Sequence, residues 1–172
     1  FQEVLNLLAV ECPPVVFVTG SAGTGKSTLI DVLRHELDRN LVVLAPTGVA
    51  ALNVGGQTIH SFFQLPPGPQ PVGRKLQGVS RDVVAKMDIL IIDEVSMVRA
   101  DLLDAIDESL RTNTGKTGVP FGGKTVLLIG DMHQLPPVIS GGEEARLFEE
   151  VYESPYFFSA YCLQGLPLVT RT

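Results

Sequence analysis

One octapeptide constrains this chain more than any other feature. Gly20-Ser21-Ala22-Gly23-Thr24-Gly25-Lys26-Ser27 has the pattern GxxxxGK[ST], which works only between a strand and a helix. The flanks supply both. Val15-Val16-Phe17-Val18 precedes it as an unbroken apolar run. Leu29, Ile30, Val32, Leu33 and Leu37 follow it and mark one face of a helix over residues 27–37. The residue types answer a physical need. Glycines let the backbone curl so that successive N–H groups point inward. The positive end of the helix aims at the same spot. Lys26 adds a mobile charge for the β- and γ-phosphates, and the Ser27 hydroxyl can ligate Mg²⁺. The loop from Gly20 to Thr28 is therefore expected to bind a nucleotide with Mg²⁺.

A strand that feeds a phosphate loop needs parallel neighbours, and the sequence offers them. Leu41-Val42-Val43-Leu44, Ile89-Leu90-Ile91-Ile92 and Val126-Leu127-Leu128-Ile129 are continuous apolar runs without polar alternation. Such runs indicate strands buried on both faces. A second helix is expected over residues 101–111. Its apolar face is Leu102, Leu103, Ile106 and Leu110, with Asp104, Asp107 and Glu108 opposite and Arg111 late, as the helix dipole favours. Strand–helix alternation predicts an α/β fold, a three-layer αβα domain around a mainly parallel sheet.

Two more segments lie just past strand ends, where open α/β sheets bind ligands. Asp93-Glu94 ends the third run. The Asp93 carboxylate is placed to hold a metal ion, and Glu94 to deprotonate a water for attack on the γ-phosphate. A water-activating carboxylate favours hydrolysis over transfer to another acceptor. Gly130-Asp131-Met132-His133-Gln134-Leu135-Pro136-Pro137 follows the fourth run. The Gln134 amide both donates and accepts hydrogen bonds, so it can sense a γ-phosphate; for His133 a turn-stabilising role is the simpler reading.

With 172 residues the chain has the size of one domain. Its net charge of −6 argues against a simple polyanion binder, but the charge is uneven. Residues 64–86 carry Arg74, Lys75, Arg81 and Lys86 against Asp82 alone, whereas residues 143–153 carry five acids and one base. The stretch from Leu65 to Gly78 holds Pro66, Pro67, Pro69 and Pro71 with three glycines, and reads as a surface loop within a Pro-rich basic region over 64–86. Cys12 and Cys162 lie far apart and share no metal-ligand spacing with His35, His60 or His133, which fits a reduced, intracellular protein with packing thiols. No apolar run is long enough for a membrane span. The start, Phe1-Gln2-Glu3, lacks a basic n-region and reads as an internal segment rather than a signal peptide.

Taken together, GSAGTGKST (Gly20–Thr28), LAPTGVAALNVGGQTIHSFF (Leu44–Phe63), LIIDEVSMV (Leu90–Val98), PFGGK (Pro120–Lys124) and GDMHQLPPV (Gly130–Val138) resemble the Pif-type DNA helicases of superfamily 1B, relatives of RecD. The motifs occur in family order, and the similarity covers nearly the whole chain. The resemblance implies a RecA-like first motor domain over 1–172, from a P-loop NTPase that moves 5′→3′ on single-stranded DNA at the expense of ATP. The processes implied are replication, repair, recombination or telomere maintenance. The setting implied is bacterial cytoplasm or the nucleus or mitochondrion of a eukaryote.

The same resemblance assigns residues. Lys26 and Ser27 take the phosphate and metal roles, Asp93 holds Mg²⁺, Glu94 is the catalytic base and Gln134 the γ-phosphate sensor. Gln2 matches the family's adenine-reading glutamine. Thr47, Gly48, His60 and Phe62 fall in a DNA-facing motif, where N–H and hydroxyl groups suit phosphates and ring faces suit bases; core packing claims at least one of Phe62 and Phe63. In the Pro-rich loop Arg74 and Lys75 are candidates to meet the DNA backbone, the alternative being a merely solvated loop. Arg171 matches an arginine that reaches the γ-phosphate, although Thr172 stands where the family has glutamine. The partner implied is a second RecA-like lobe of the same parent chain, which supplies an arginine finger. Without it, these residues are expected to bind nucleotide, hydrolyse it poorly and unwind nothing. The alternatives are another P-loop ATPase, or a non-catalytic scaffold gated by nucleotide, against which the full set Lys26, Ser27, Asp93 and Glu94 counts.

Overall fold

A computed structural model describes residues 1–21, 23–71, 79 and 81–172. Among these described residues, six strands form one sheet: β1 (Val15–Thr19), β2 (Leu41–Ala45), β3 (Gln57–Thr58), β4 (Ile89–Ile92), β5 (Thr125–Gly130) and β6 (Leu168–Arg171). Seven α-helices among the same residues accompany them: α1 (Gln2–Asn6), α2 (Lys26–Glu36), α3 (Gly48–Asn53), α4 (Ile59–Phe63), α5 (Arg81–Lys86), α6 (Ala100–Thr114) and α7 (Glu143–Glu150). A π-helical segment, Leu7–Glu11, continues α1. The strand order is β3-β2-β4-β5-β1-β6, and every pairing is parallel.

The four apolar runs are the four inner strands. β4 and β5 are buried at every residue, because helices cover both faces. Residue parity decides which face each side chain serves. Val16, Val18, Ile89, Ile91, Leu127 and Ile129 pack with Leu29, Ile30 and Leu33 of α2 and with Val4 of α1. Val15, Phe17, Leu90, Ile92, Val126 and Leu128 pack with Leu103, Ile106 and Leu110 of α6. The result is the three-layer architecture the sequence pattern predicts.

Three expectations need correction. The acids of α6 do not form a solvated face. Asp101 and Asp107 are buried. Asp104 accepts hydrogen bonds from Tyr152 Oη at 2.8 Å, the Cys162 amide at 2.8 Å and the Tyr161 amide at 3.2 Å. The helix is covered on that side by the chain beyond α7. The described part of the Pro-rich stretch lacks regular structure, as expected, but it is not simply surface: Leu65 and Gln70 are buried. The 64–86 region is also not all loop, since residues 81–86 form α5 with Val84 fully buried. The edge strands β3 and β6 escape sequence reading. One is two residues long, and the other is half-exposed and depends on β1 for its pairing.

Candidate active site

The phosphate loop leaves the carboxyl end of β1 and enters α2 at Lys26. Gly23 and Gly25 have φ of 79° and 88°, a region that glycine enters without penalty. A β-carbon on Gly20 would lie 2.7 Å from Thr24 Oγ1, so the first glycine is needed for the closeness of the turn. Thr24 Oγ1 donates to Ser21 O at 2.9 Å and fixes the curl. Lys26 Nζ donates to Gly20 O at 2.7 Å and Ser21 O at 2.9 Å, folding its charge over the loop.

Gly23, Gly25, Lys26, Ser27, Thr28, Glu94 and Gln134 line one cleft of about 400 Å³ at the carboxyl edge of the sheet. The elements that deliver them are β1 with α2, the turn after β4 and the strap after β5. Asp93 stands at the base of this group, 6% exposed, with its amide donating to Leu44 O of the neighbouring strand at 2.9 Å. Burial pushes its carboxyl above the usual range, against a hydrogen bond from the Glu94 amide and the charge of Lys26. Glu94 is also raised, first by burial and then by Asp93 and Asp131, with Lys26 opposing. Its backbone has φ 52° and ψ 42°, the left-handed region that a glutamate seldom adopts. The chain reverses there into the 3₁₀ turn Val95–Met97, and the reversal turns Glu94 toward the cleft.

Gly130 explains how the third contributor comes so close. A β-carbon there would sit 2.9 Å from Val95 Cγ1 and 3.1 Å from the Val95 amide nitrogen. The end of β5 is thus pressed against the Glu94 turn. Asp131, 5% exposed, accepts from the His133 amide at 2.9 Å, and the Gln134 amide donates to Asp131 O at 3.1 Å. This turn presents Gln134 to the cleft, and it gives Asp131 a share in raising Glu94. Sequence reading assigned Asp131 no role, although its place at a strand end was the signal available.

Other expected residues lie elsewhere. Gln2 donates to Asn6 Oδ1 at 3.1 Å and lines a separate groove between α1 and α2. Arg171 is held by Glu3, Nε to Oε1 at 2.6 Å, and by Thr170 O at 2.9 Å. Neither is brought to the cleft. Thr47 caps α3 by accepting from the Ala50 amide at 3.2 Å, and Gly48 begins that helix with an exposed backbone. His60 and Phe62 share α4 and are half-buried. Burial, then the charge of Arg99, lowers the His60 pKa. Phe62 packs edge-on against Phe63, centroids 4.9 Å apart, and Phe63 is the core member of the pair. Ala22, Arg74 and Lys75 lie outside the described residues. Among the described residues no cluster of three or more His, Cys, Asp or Glu side chains forms a metal site, no helix is long and apolar enough to cross a membrane, and Cys12 and Cys162 are free thiols.

With this geometry in place, comparison with known proteins identifies a group. A family model described as PIF1-like helicase matches residues 1–170. The ATP-dependent DNA helicase PIF1 of Emericella nidulans is 41% identical over 152 residues, which are 81% of this chain and 20% of that protein. The human ATP-dependent DNA helicase PIF1 is 39% identical over 150 residues, 84% of this chain and 23% of that protein. The crystal structure of Pif1 helicase from Bacteroides in complex with ADP-AlF3 and ssDNA superposes with a TM-score of 0.91 at 39% identity, covering 99% of this chain and 40% of that one. The chain therefore spans only a minor part of the length of these relatives.

Proposed function

The chain belongs to the PIF1-like helicase family, and we propose that it is the ATP-binding motor lobe of a DNA helicase that moves 5′→3′ on single-stranded DNA. The observation that carries this reading is the convergence of Lys26, Ser27, Glu94 and Gln134 on one cleft from three strand ends. Support for the partner comes from the Bacteroides relative, whose structure holds a nucleotide analogue together with ssDNA.

The residues act as follows. Phosphates enter the loop, and Lys26 exchanges its Gly20 and Ser21 carbonyls for phosphate oxygens, a stronger charge-assisted pairing. Glu94 takes a proton from water; its raised pKa makes it a stronger base than an ordinary glutamate. Gln134 orients toward the γ-phosphate and carries its presence into the 131–140 strap. The Ser27 hydroxyl and the Asp93 carboxylate fit Mg²⁺, which takes hard oxygen ligands and retains waters beside substrate phosphates. A buried carboxyl raised by desolvation is the kind of group a cation stabilises in charged form. When bound, the cation neutralises charge on the phosphate oxygens. Thr47, Gly48, His60 and Phe62 are the described candidates for the DNA face, with Arg74 and Lys75 as further ones. A second lobe of the parent protein completes the site.

The test is ATP hydrolysis by the full-length protein with and without single-stranded DNA, beside Glu94→Gln. Strong stimulation by DNA that vanishes in the variant supports a nucleic-acid motor with Glu94 as base. Hydrolysis indifferent to DNA sinks the helicase reading.

A further inference from the structure

Arg99 lies five residues beyond Glu94 and outside the cleft. Its fork makes four hydrogen bonds. Nε donates to Asp101 Oδ1 at 3.0 Å, and Nη2 donates to Asp101 Oδ2 at 3.1 Å and to Gly68 O at 2.7 Å. Nη1 donates to Glu144 Oε1 at 2.9 Å. The side chains are 14%, 0% and 9% exposed for Arg99, Asp101 and Glu144, so this is a desolvated cluster. Both carboxylates reach further. Asp101 Oδ2 accepts from the Gln70 amide at 2.7 Å, and Glu144 Oε2 from the Ser140 amide at 2.6 Å.

Three segments are thus linked at one guanidinium, the third of them indirectly, through Glu144 of α7 and the Ser140 amide. The first is the turn that carries Glu94, joined to Arg99 through Val95–Met97. The second is the loop at 64–71, which follows the DNA-side helix α4. The third is the strap from Asp131 to Ser140, which carries Gln134. A buried ion cluster is a poor device for stability alone, since desolvation offsets most of the attraction. It is a good device for fixing geometry, because an arginine fork accepts partners only in set directions and breaking one contact strands a buried charge. Displacing one of the three segments therefore strains its links to the other two.

We propose that Arg99, with Asp101 and Glu144, is a positioning clamp that couples the strap carrying Gln134 to the loop at 64–71, so that nucleotide in the cleft changes the loop on the DNA side. The route is short: Gln134 shares a strap with Ser140, Ser140 is held on Glu144, Glu144 on Arg99, and Arg99 on Gly68. The use of this coupling for DNA rests on the motor reading above; the coupling itself does not.

The test uses full-length protein: hydrogen exchange at the Gln70 and Ser140 amides is followed without DNA, with ADP and with a non-hydrolysable ATP analogue, and ATPase is assayed separately with and without single-stranded DNA. In the natural protein the two nucleotides are expected to give different protection at Gln70. Arg99→Met is expected to keep nucleotide affinity within about twofold, to lose the nucleotide response at Gln70, and to lower stimulation of ATPase by single-stranded DNA about tenfold. Arg99→Lys keeps the charge without the fork and is expected to restore part of it. Glu144→Gln guards against a folding defect in Arg99→Met. It cuts only the strap arm, so Gln70 stays basally protected on Asp101 while its nucleotide response disappears. A merely structural cluster does not separate those two readouts. Nucleotide binding with no change at Gln70 in the natural protein overturns the clamp, as does a response that survives in both Arg99→Met and Glu144→Gln. A Gln70 response in a protein whose ATPase ignores DNA keeps the clamp and overturns the helicase reading.

Discussion

At Glu94 two unfavourable features coincide. The residue holds a left-handed backbone, and its carboxyl is raised by burial and by the neighbouring carboxylates Asp93 and Asp131. Both cost the folded state, and both suit the base proposed for this cleft. The linkage has a definite sign. The native state holds the Glu94 proton more tightly than the unfolded chain does, so stability is lost as pH rises from the ordinary glutamate value through the raised one. Glu94→Gln removes that loss. Thermal unfolding should therefore show the variant gaining more over the natural chain at pH 7 than at pH 4. An equal difference at both pH values would contradict the electrostatic account. The same variant in full-length protein should lose about 10²–10⁴ of its ATPase rate, the usual contribution of a positioned general base. The acid limb of the natural enzyme's kcat profile should lie above the ordinary glutamate range. Improved stability with lost activity is the trade expected of a site residue.

The elements show where local pattern carries information and where it does not. The strands β1, β2, β4 and β5 were readable because a helix on each face demands apolar residues of both parities, and no other element wants an unbroken run of Val, Ile and Leu. The phosphate loop was readable because its chemistry is local. The partners of the α6 acids escape sequence reading because they are distant: Asp104 is 48 to 58 residues from Tyr152, Tyr161 and Cys162. The clamp at Arg99 was invisible for the same reason, with Gly68 and Glu144 standing 31 and 45 residues away. Periodicity along one helix cannot report what another segment lays upon it. Two mutations weigh these arguments. Asp104→Ala leaves three donors without an acceptor and should cost about 2–4 kcal/mol, whereas Glu108→Ala on the same helix should stay within about 0.5 kcal/mol. Chemical denaturation of both variants decides it; equal costs would restore the solvated-face reading. Gly130→Ala forces a methyl against Val95 and its amide. Overpacking of this kind costs about 1–3 kcal/mol. Because the displaced turn is the one that aims Glu94, ATPase should fall further than a stability loss of that size explains.

At the scale of the whole molecule, the sheet brings the described cleft residues together at one edge, and on the proposed reading that edge supplies only part of what phosphoryl transfer needs. Among the described residues, the cleft is lined by one basic side chain, Lys26, and Arg171 pairs with Glu3 outside it. In the proposed reaction, charge that develops on the transferring phosphoryl group therefore meets one mobile cation among the described residues. In related phosphoryl-transfer enzymes an added arginine finger accounts for about 10³–10⁵ in rate. The 172 residues alone should accordingly bind nucleotide, since loop, helix terminus and Lys26 are complete, yet turn it over slower than the full-length protein by about that factor. Calorimetric titration with ADP and single-turnover hydrolysis on the isolated chain separate the two statements. Binding abolished by Lys26→Ala, together with slow hydrolysis that single-stranded DNA does not accelerate, is the expected pair. DNA-stimulated turnover at full-length rates would mean that these residues already contain the missing cation. The place to look for it would then be the basic stretch with Arg74, Lys75, Arg81 and Lys86, tied at its start to Arg99 through Gly68 and Gln70.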